Sequence, residues 1–491
     1  MATIQHSVPA APSIAGERLP KRAIVGYGLG DFANNLAFTL GTTFLLYYYT
    51  DVAGMSAAAV ATMFFVVRLW DAVTDIFAGR LVDRTMTRLG KFRPFILFGG
   101  VPLLFLSALT FHVPAEFDAG TKLLYAYLTY AILGLSYSLV NIPYGSLASA
   151  MTQSVHQRAK LVASRFFGSA IGGIVLTYII APKISDLRGA KATLSSEAYR
   201  AEVQSIFTQT TLLFVLIGSI AYGLTVYWCR EQVVRTQPRV SARETWDTIR
   251  HNKPLGYLCA ASFFYLIGLF AVGGASAFYA QYVLGDIKWL GPITLVNTGI
   301  SIVCAPFIPK LVDRLGKKTI FQYCGLFTVV GGLALFFLPT GVIAPALIFL
   351  GIKGIGSALI NTVMFGLEAD TVEYAEWKTG KRSEGATYAI FAFTRKLCQS
   401  IGGALGAWAL AIGGYIAASK TIPNPVQPDS AIFAIKAVMG LLPAGVAIIA
   451  MIIFIRYPLT DDKFRQIRDE TEARKAAERE AELESEPIIP L

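Results

Sequence analysis

Charged residues are scarce in this sequence. Only 15% of its 491 residues are charged and 54% are hydrophobic, with a mean hydropathy of +0.53, whereas a soluble globular chain carries about 25% charged residues. Apolar stretches of the length that crosses a bilayer, roughly 20 residues each, recur with short polar breaks between them. The sequence therefore predicts an integral membrane protein with about twelve spanning helices.

Cysteine, histidine and the common motifs of enzymes are also sparse or missing. The five cysteines are scattered through apolar segments without a close pair, which predicts free thiols and neither a disulfide framework nor a structural metal site. The four histidines lie in loops or near the ends, and no Walker loop, His-Glu-x-x-His or Gly-x-Ser-x-Gly element occurs. We therefore expect neither an enzyme nor a bound organic cofactor.

The predicted spans form two sets of six. The first set covers 24–49, 56–79, 94–113, 123–150, 161–181 and 206–229. The second set covers 255–283, 289–308, 320–338, 342–367, 386–418 and 432–455.

A short internal repeat relates these two sets. Leu-Val-Asp-Arg occurs at 81–84 and again at 311–314, each time after the second span of a set. Two unrelated basic loops are the alternative, but the shared position favours two similar bundles. The predicted fold is therefore an all-α membrane protein, with twelve transmembrane helices in two six-helix bundles of the major facilitator type.

Basic residues cluster in alternate loops, which predicts the topology. The loops after the second, fourth, sixth, eighth and tenth spans are rich in Lys and Arg, and the opposite loops are not. By the positive-inside rule both termini are expected in the cytoplasm, and the formal net charge of +11 then needs no nucleic-acid partner. The predicted units are a cytoplasmic N-terminal segment (1–23), a six-helix bundle (24–229), a cytoplasmic linker (230–254) and a second six-helix bundle (255–457). A charged tail (458–491) follows, and it is predicted to be a solvated cytoplasmic helix.

Ionisable residues within the second span predict a cation site. Arg68, Asp71 and Asp75 are three, four and seven residues apart, so they share one face of a helix. A charge inside a bilayer is costly unless it is paired. Arg68 can balance one carboxylate, and the other is left for an exchangeable proton or Na⁺.

Polar residues of the first and fourth spans predict contacts to a hydroxyl-rich ligand. Asp31 lies beside Asn34 and Asn35, and Tyr137, Ser138 and Asn141 share a face just before Pro143. These groups could instead join neighbouring helices, and the sequence leaves that alternative open.

Cations in the fifth and eleventh spans complete the charged set. Arg165, Arg395 and Lys396 need anionic partners, which the aspartates or a carboxylated substrate could supply. A cation and a substrate that together complete the charge balance would let the two halves rock, which predicts coupled transport. Loop pairs that could hold helix ends in one state are predicted gating residues: Asp83 with Arg84, and Asp313 with Arg314.

Several motifs resemble those of the glycoside, pentoside and hexuronide cation symporters within the major facilitator superfamily, and nearly all twelve spans are similar. The similarity is nearest to bacterial glucuronide carriers. The motifs are Gly30-Asp-Phe-Ala-Asn-Asn35, Tyr47-Tyr-Tyr-Thr-Asp51, Trp70-Asp-Ala-Val-Thr-Asp75, Gly90-Lys-Phe-Arg-Pro94, Tyr137-Ser-Leu-Val-Asn-Ile-Pro-Tyr-Gly-Ser146, Glu368-Ala-Asp-Thr-Val-Glu-Tyr374 and Phe393-Thr-Arg-Lys396.

The resemblance implies roles for particular residues. Asp71 and Asp75 match the family's cation-site carboxylates, with Thr74 and Ser138 as adjoining oxygen donors. The sugar-site or coupling positions match Asp31, Arg165 and Lys396, and the motif after the tenth span adds Asp370 and Glu373 to the predicted gating residues.

Departures from the family pattern bear on the substrate. The melibiose carriers have an acidic residue in place of Asn141 and a tryptophan in place of Gly145, so the resemblance implies a more positive site that suits a glucuronide. The coupling cation is expected to be H⁺, or alternatively Na⁺, because Thr74 is a weaker oxygen ligand than the amide of Na⁺-using relatives.

Together these features predict a secondary active symporter for a glycoside, working by alternating access in a bacterial cytoplasmic membrane. We expect it to act as a monomer whose partners are its substrate, its coupling cation and the bilayer. A symporter for a neutral glycoside or pentoside is the alternative, and a channel or a non-transporting sensor is a remote one.

Overall fold

The structure, a computed structural model, describes residues 18–152, 154–189, 196–232, 250, 252–380, 384–417 and 426–485. These residues form helices and no β-strand. The predicted linker, 230–254, and the first residues of the N-terminal segment fall largely outside the described ranges.

Six long helices make up the first half. They are α1 (Lys21–Tyr47), α2 (Ala57–Arg84), α3 (Arg93–Thr110), α4 (Ala119–Met151), α5 (Val155–Gly189) and α6 (Ser196–Trp228).

Six more make up the second half, followed by a polar helix. They are α7 (Lys253–Phe278), α8 (Ile287–Leu315, with short 3₁₀ turns), α9 (Lys317–Phe337), α10 (Ile343–Thr379), α11 (Glu384–Ile412), α12 (Asp429–Ile455) and the polar α13 (Asp461–Ser485).

Ten of these helices are long and apolar enough to cross a bilayer. The other two are α1 and α11, the helices that contain Asp31 and the pair Arg395 and Lys396. Both pack inside the helical assembly, α1 against α5, α6 and α7, and α11 against α2 and α7. The predicted all-α fold of twelve transmembrane helices is confirmed.

The sequence repeat corresponds to a repeated structural feature. Gly90 and Gly316 each have a positive φ, of 106° and 79°, which glycine adopts without a steric cost. The Glu231 carboxylate, which follows α6, accepts hydrogen bonds from three backbone N–H groups where α3 begins, at 2.8 to 3.0 Å. The Asp461 carboxylate, which follows α12, accepts one from Lys317 N–H at 3.1 Å where α9 begins. Each half thus ends in a carboxylate that caps its own third helix.

The two halves meet mainly through three helix pairs. These pairs are α2 with α11, α1 with α7, and α5 with α8. The contacts of α5 with α8 lie where α5 ends and α8 begins, and those of α1 with α7 include the ends of both helices. The halves are therefore in contact at the end that is remote from the N-terminus of α1, which we call the distal end.

The charged tail is helical as predicted, but one of its faces is packed rather than solvated. Ile467 is only 2% exposed, and the Trp377 ring N–H of α10 donates to the Glu470 carboxylate at 2.7 Å. The Arg474 guanidinium donates to the carbonyls of Glu376 and Trp377, in the last turns of α10. Opposite charges at helical spacing predicted the helix, but they gave no information on the small apolar face that docks it.

Candidate functional site

The charged face of α2 is divided between two cations. Arg68 donates to Asp71 Oδ2 at 3.1 Å, within the same helix. The Lys396 ammonium of α11 contacts Asp75 Oδ2, and this ion pair crosses from one half to the other. Both carboxylates that the sequence singled out as cation ligands are therefore paired with a fixed positive charge.

The predicted oxygen donors of this site lie close to the same carboxylates. Thr74 is buried and donates its hydroxyl to the Asp71 carbonyl at 3.0 Å. Asp71 Oδ1 is buried without a hydrogen-bond partner and faces Gly134 of α4, where a β-carbon would collide with it. Ser138, which is also buried, follows Gly134 by one helical turn and so lies on the same side of α4.

A second ion pair joins α1 to α5. The Arg165 guanidinium donates to Asp31 Oδ1 at 3.1 Å, and its other end lies 3.5 Å from Asn141 Oδ1. Asn35 donates to the carbonyl and the carboxylate of Asp31, at 2.9 and 3.3 Å, and so helps to orient it. The Arg165 guanidinium also lies over the Tyr144 ring, 5.2 Å from its centre, which is within the range of a cation–π interaction. We use the name central cluster for the following residues: Asp31, Asn35, Arg68, Asp71, Asp75, Asn141, Tyr144, Arg165 and Lys396.

Three further residues from the predicted substrate set also contact other side chains. Asn34 is fully buried one helical turn after Asp31, and its Oδ1 accepts from the Tyr222 hydroxyl of α6 at 2.7 Å, so it joins α1 to α6. Tyr137 is half-buried and stacks on Phe38, with ring centres 5.5 Å apart. Arg395 points to α10 rather than to α2, with its guanidinium 4.8 Å from the centre of the Phe365 ring.

Among the predicted gating residues whose side chains the structure describes, Asp370 forms an ion pair. Lys317 of α9 donates to both oxygens of Asp370, at 2.6 and 2.8 Å, and Asp370 lies within α10 rather than after it. The Glu373 carboxylate, one turn further on, has a buried oxygen without a hydrogen-bond partner. Arg84 is exposed, as are Asp313 and Arg314, and the side chain of Asp83 lies outside the described residues. Their gating role stays a prediction.

A cluster at the distal end was not assigned from the sequence. The Asp51 carboxylate accepts hydrogen bonds from the hydroxyls of Tyr282 at 2.9 Å and Tyr415 at 2.7 Å, and also from Thr50 at 2.8 Å. Thr50 and Asp51 belong to the first half of the chain, and both tyrosines belong to the second. We call these four residues the distal latch. A buried aspartate at the end of a span was the available signal.

Local helix geometry positions the distal latch. The chain continues from α1 into a π-helical turn, Tyr48–Val52, and from α7 into another, Tyr279–Val283. These turns bring Asp51 and Tyr282 together from equivalent positions of the two halves. Such turns often occur at functional sites.

Asp286 makes a further contact at the distal end, and it lies between the predicted seventh and eighth spans. The Ser185 hydroxyl of α5 and the Lys288 backbone N–H donate to Asp286, at 2.8 and 2.9 Å. Partial burial of Asp286 acts to raise the pKa of its carboxyl group, but these hydrogen bonds and the Lys288 ammonium outweigh burial and hold that pKa below its ordinary value.

The exposure of the charged side chains indicates where the central cluster is open. The side chain of Lys396 is 47% exposed and that of Arg165 is 35% exposed, whereas Asp51 is buried and Tyr415 is nearly so. The central cluster is therefore accessible between the halves, and the distal latch closes one end of that space.

Two bundles of six helices around paired intramembrane charges define a multi-pass membrane transporter of the major facilitator type. Residues 26–461 match the family described as MFS/sugar transport protein. The chain belongs to this family and, within it, to the glycoside, pentoside and hexuronide cation symporters.

Curated relatives cover almost the whole chain. An Escherichia coli protein named glucuronide carrier protein homolog is 43% identical over 465 residues, which are 94% of this chain and 98% of that one. A Salmonella typhimurium protein provisionally named a sulfoquinovose importer is 32% identical over 93% of this chain and 94% of its own. An E. coli protein provisionally named a 2,3-dihydroxypropane-1-sulfonate exporter is 32% identical over 93% of this chain and 97% of its own.

Solved transporters share the fold at low sequence identity. The crystal structure of a bacterial homolog of the human lysosomal transporter Spinster aligns with a TM-score of 0.64 at 12% identity, over 90% of this chain and 99% of that one. This similarity supports the fold alone. The family match and the curated relatives show a sugar-type symporter and not an enzyme.

Proposed function

We propose that this protein takes up an anionic glycoside, a glucuronide, in symport with one proton. The observation that supports this most directly is the ion pair between Lys396 and Asp75, which joins the two halves at the central cluster. Its lysine is the more exposed partner, so the ammonium can leave the carboxylate without a large rearrangement.

The charge balance of the central cluster links the proton to the substrate. Arg68 balances Asp71, Arg165 balances Asp31, and Lys396 balances Asp75. A proton on Asp75 removes one negative charge and leaves the Lys396 ammonium without a partner, which is costly inside a membrane. A substrate carboxylate restores the balance, so the proton and an anionic substrate favour each other's binding.

The surroundings of Asp75 favour a proton over Na⁺. A hard metal cation needs several oxygen ligands around it. Here a fixed cation already holds one oxygen of each carboxylate, Lys396 on Asp75 and Arg68 on Asp71. A proton needs only one carboxylate oxygen, and Na⁺ is the alternative that the transport test below also covers.

Space beside Arg165 supports a substrate subsite at that position. A β-carbon added at Gly145 would meet only Arg165 Nη1, at 3.8 Å, so there is room between Gly145 and this nitrogen. Arg165 keeps donors beyond those directed at Asp31, and they can bind hydroxyl or carboxylate oxygens. The names of the three relatives refer to a glucuronide, a sulfoquinovose and a hydroxylated sulfonate, which are all polyhydroxylated anions.

Alternating access follows from the two ends of the molecule. The distal latch closes one end, and the exposed side chains of the central cluster indicate access from the other. Basic loops lie at the end that holds the termini, so the positive-inside rule places that end in the cytoplasm of a bacterial cell. On this assignment the structure is inward-facing, and transport requires the latch to open. A single chain contains all of these groups, which supports a functional monomer.

Counterflow in proteoliposomes tests the proposed function. Vesicles are loaded with unlabelled phenyl glucuronide, and the entry of a labelled trace of the same compound is followed without ATP or an ion gradient. A carrier should accumulate the label transiently and saturably, while a channel or a sensor would show no overshoot. Absence of counterflow across a panel of glucuronides and neutral glycosides would contradict the proposal.

A further inference from the structure

One intramembrane carboxylate takes no part in the charge balance described above. Glu368 lies in α10 and is only 7% exposed. Its Oε1 atom is buried and has no hydrogen-bond partner among the described residues. Leaving an ionised carboxylate in that condition inside a membrane is energetically costly, so an ionised Glu368 would need a partner.

Arg395 of α11 approaches α10 at Phe365, which lies one helical turn before Glu368. The side chains of Arg395 and Glu368 form no ion pair in the described part of the chain, because the Arg395 guanidinium lies instead over the Phe365 ring, 4.8 Å from its centre. Arg395 Nη1 is itself buried without a hydrogen-bond partner. Two neighbouring opposite charges with unpartnered atoms would be expected to pair, so their separation indicates that the carboxyl group of Glu368 is neutral.

The other groups around Glu368 do not supply a counter-charge. The helices packed on α10 are α7, α8, α9, α11 and α13. Among their described residues, α11 contributes Arg395 and α7 contributes the thiol of Cys259. Lys317 of α9 pairs with Asp370, and Arg474 of α13 donates to the carbonyls of Glu376 and Trp377. The exchangeable cation that fits this small, buried site is a proton.

The position of Arg395 connects this carboxyl group to the central cluster. Arg395 and Lys396 are adjacent in α11, but Lys396 faces Asp75 in the first half and Arg395 faces α10 in the second. One helix therefore presents two cations to carboxyl groups of opposite halves. A movement of α11 that changes one contact also changes the other.

We propose that Glu368 is a second proton-binding site, separate from Asp75, and that Arg395 moves from Phe365 onto the Glu368 carboxylate when this proton leaves. The proton dissociates from the carboxyl oxygen to solvent water, and the guanidinium then supplies the counter-charge. The protonation of Glu368 does not depend on the proposed function. Its effect on transport does, because that effect rests on the proposed symport.

Infrared difference spectroscopy tests the protonation directly. Reconstituted protein is compared in acidic and alkaline buffer, and the carbonyl stretch of protonated carboxyl groups is identified by its shift in D₂O. Glu368→Gln should lose one such band, and Glu368→Asp should move it. Asp370→Asn, which changes an ion-paired carboxylate two residues away, should retain it. Identical spectra for the wild type and Glu368→Gln over the whole pH range would overturn the proposal.

A second variant tests the role of Arg395. Arg395→Gln removes the guanidinium that would stabilise the ionised carboxylate, so the Glu368 band should persist in more alkaline buffer than in the wild type. An unchanged pH dependence of that band would show that Arg395 is not the partner.

Transport measurements then separate this proposal from the proposed function. Glu368→Gln mimics the neutral carboxyl group, so it should retain glucuronide counterflow but show net uptake that varies less with pH. A wild-type protein without counterflow would contradict the symport and leave the infrared result intact. A variant whose net uptake keeps the full pH dependence would contradict a role for Glu368 in coupling.

Discussion

At the scale of single residues, Asp75 and Lys396 are the pair that we propose for the coupling. They are opposite charges on helices of different halves, and in the structure each is the other's partner. A proton on Asp75 and a substrate anion at Lys396 replace this one ion pair by two separate interactions. The central cluster therefore keeps the same net charge before and after both ligands bind.

Replacing Asp75 tests the proton site. Asp75→Asn cannot bind and release a proton, so it should abolish accumulation driven by a pH gradient in proteoliposomes. Counterflow should persist, because Lys396 is then permanently available to the substrate. Asp118→Asn is a matched control on an exposed helix cap, where asparagine also caps well. Full accumulation by Asp75→Asn would place the cation site elsewhere.

Replacing Lys396 tests the anion site. Lys396→Ala removes a charged partner of the substrate carboxylate, which corresponds to about 1.5 to 3 kcal/mol of binding free energy and so to a rise in KM of roughly 10- to 100-fold. The KM for a glucuronide should rise far more than that for the matching glucoside. Lys463→Ala, on the exposed face of α13, is the control. Unchanged glucuronide uptake would remove Lys396 from the substrate site.

The sequence could identify these charges but not all of their partners. Asp31, Asp71, Asp75, Arg165 and Lys396 were identifiable because an ionisable group inside a span is costly unless it is paired. Their pairing depends on how helices of the two halves are rotated and packed, which periodicity along one helix does not contain. For the same reason the hydrogen bond between Asn34 and Tyr222 could not be predicted from the sequence.

At the scale of single elements, the π-helical turns at the ends of α1 and α7 determine the distal latch. The extra residue in such a turn rotates the side chains that follow it. Asp51 thereby reaches both Tyr282 and Tyr415. The motif Tyr47-Tyr-Tyr-Thr-Asp51 was recognisable in the sequence, but hydropathy cannot distinguish a π-helical turn from an α-helical one.

Weakening the distal latch should favour the opposite state. Tyr415→Phe removes its hydrogen bonds to the Asp51 carboxylate, at a cost of about 1.5 to 3 kcal/mol for a bond to a charged group. Phe65 packs on Trp408 between the halves. The substitution Phe65→Cys is made in a background from which the five natural cysteines have been removed. The rate at which an impermeant thiol reagent labels this cysteine then reports opening of the distal end. Labelling should be roughly 10-fold faster in Tyr415→Phe.

The control for this measurement is Tyr227→Phe, because Tyr227 is exposed on α6. Equal labelling rates with and without the Tyr415 hydroxyl would show that the latch does not determine which end is open.

The tail helix gives a separate prediction about stability. Ile467 is a buried apolar residue on the α13 face that packs against the second half, so Ile467→Ala should lower the free energy of unfolding by about 2 kcal/mol. The Tm of the purified protein in detergent should fall accordingly. Arg465→Ala, at an exposed position of the same helix, should leave the Tm nearly unchanged. An equal Tm for both variants would show that the docking of α13 adds no stability.

At the scale of the whole molecule, hydropathy and the repeated Leu-Val-Asp-Arg were sufficient to predict twelve helices in two bundles. Hydropathy works because every backbone polar group inside a bilayer must be satisfied within a helix or a closed barrel. Helix ends were less predictable, since α10 continues to Thr379 through Asp370 and Glu373. Those polar residues lie on a helix that extends beyond its apolar part.

The two ends of the molecule together describe one state of a transport cycle. The distal latch joins the halves at one end, and Lys396 remains exposed between them. The ion pair of Lys396 with Asp75 crosses the halves near the centre of this interface. A change in that pair is therefore positioned to alter how the halves pack, which is the requirement for coupling binding to alternating access.

Uptake into proteoliposomes against imposed gradients tests the central claim most directly. Phenyl glucuronide and phenyl glucoside are compared under an inward pH gradient, an inward Na⁺ gradient, and neither. The account predicts accumulation of the glucuronide, driven by the pH gradient and much greater than that of the glucoside. Equal accumulation of both glycosides, or accumulation driven by Na⁺ alone, would contradict the exchange of a proton and an anion at Asp75 and Lys396.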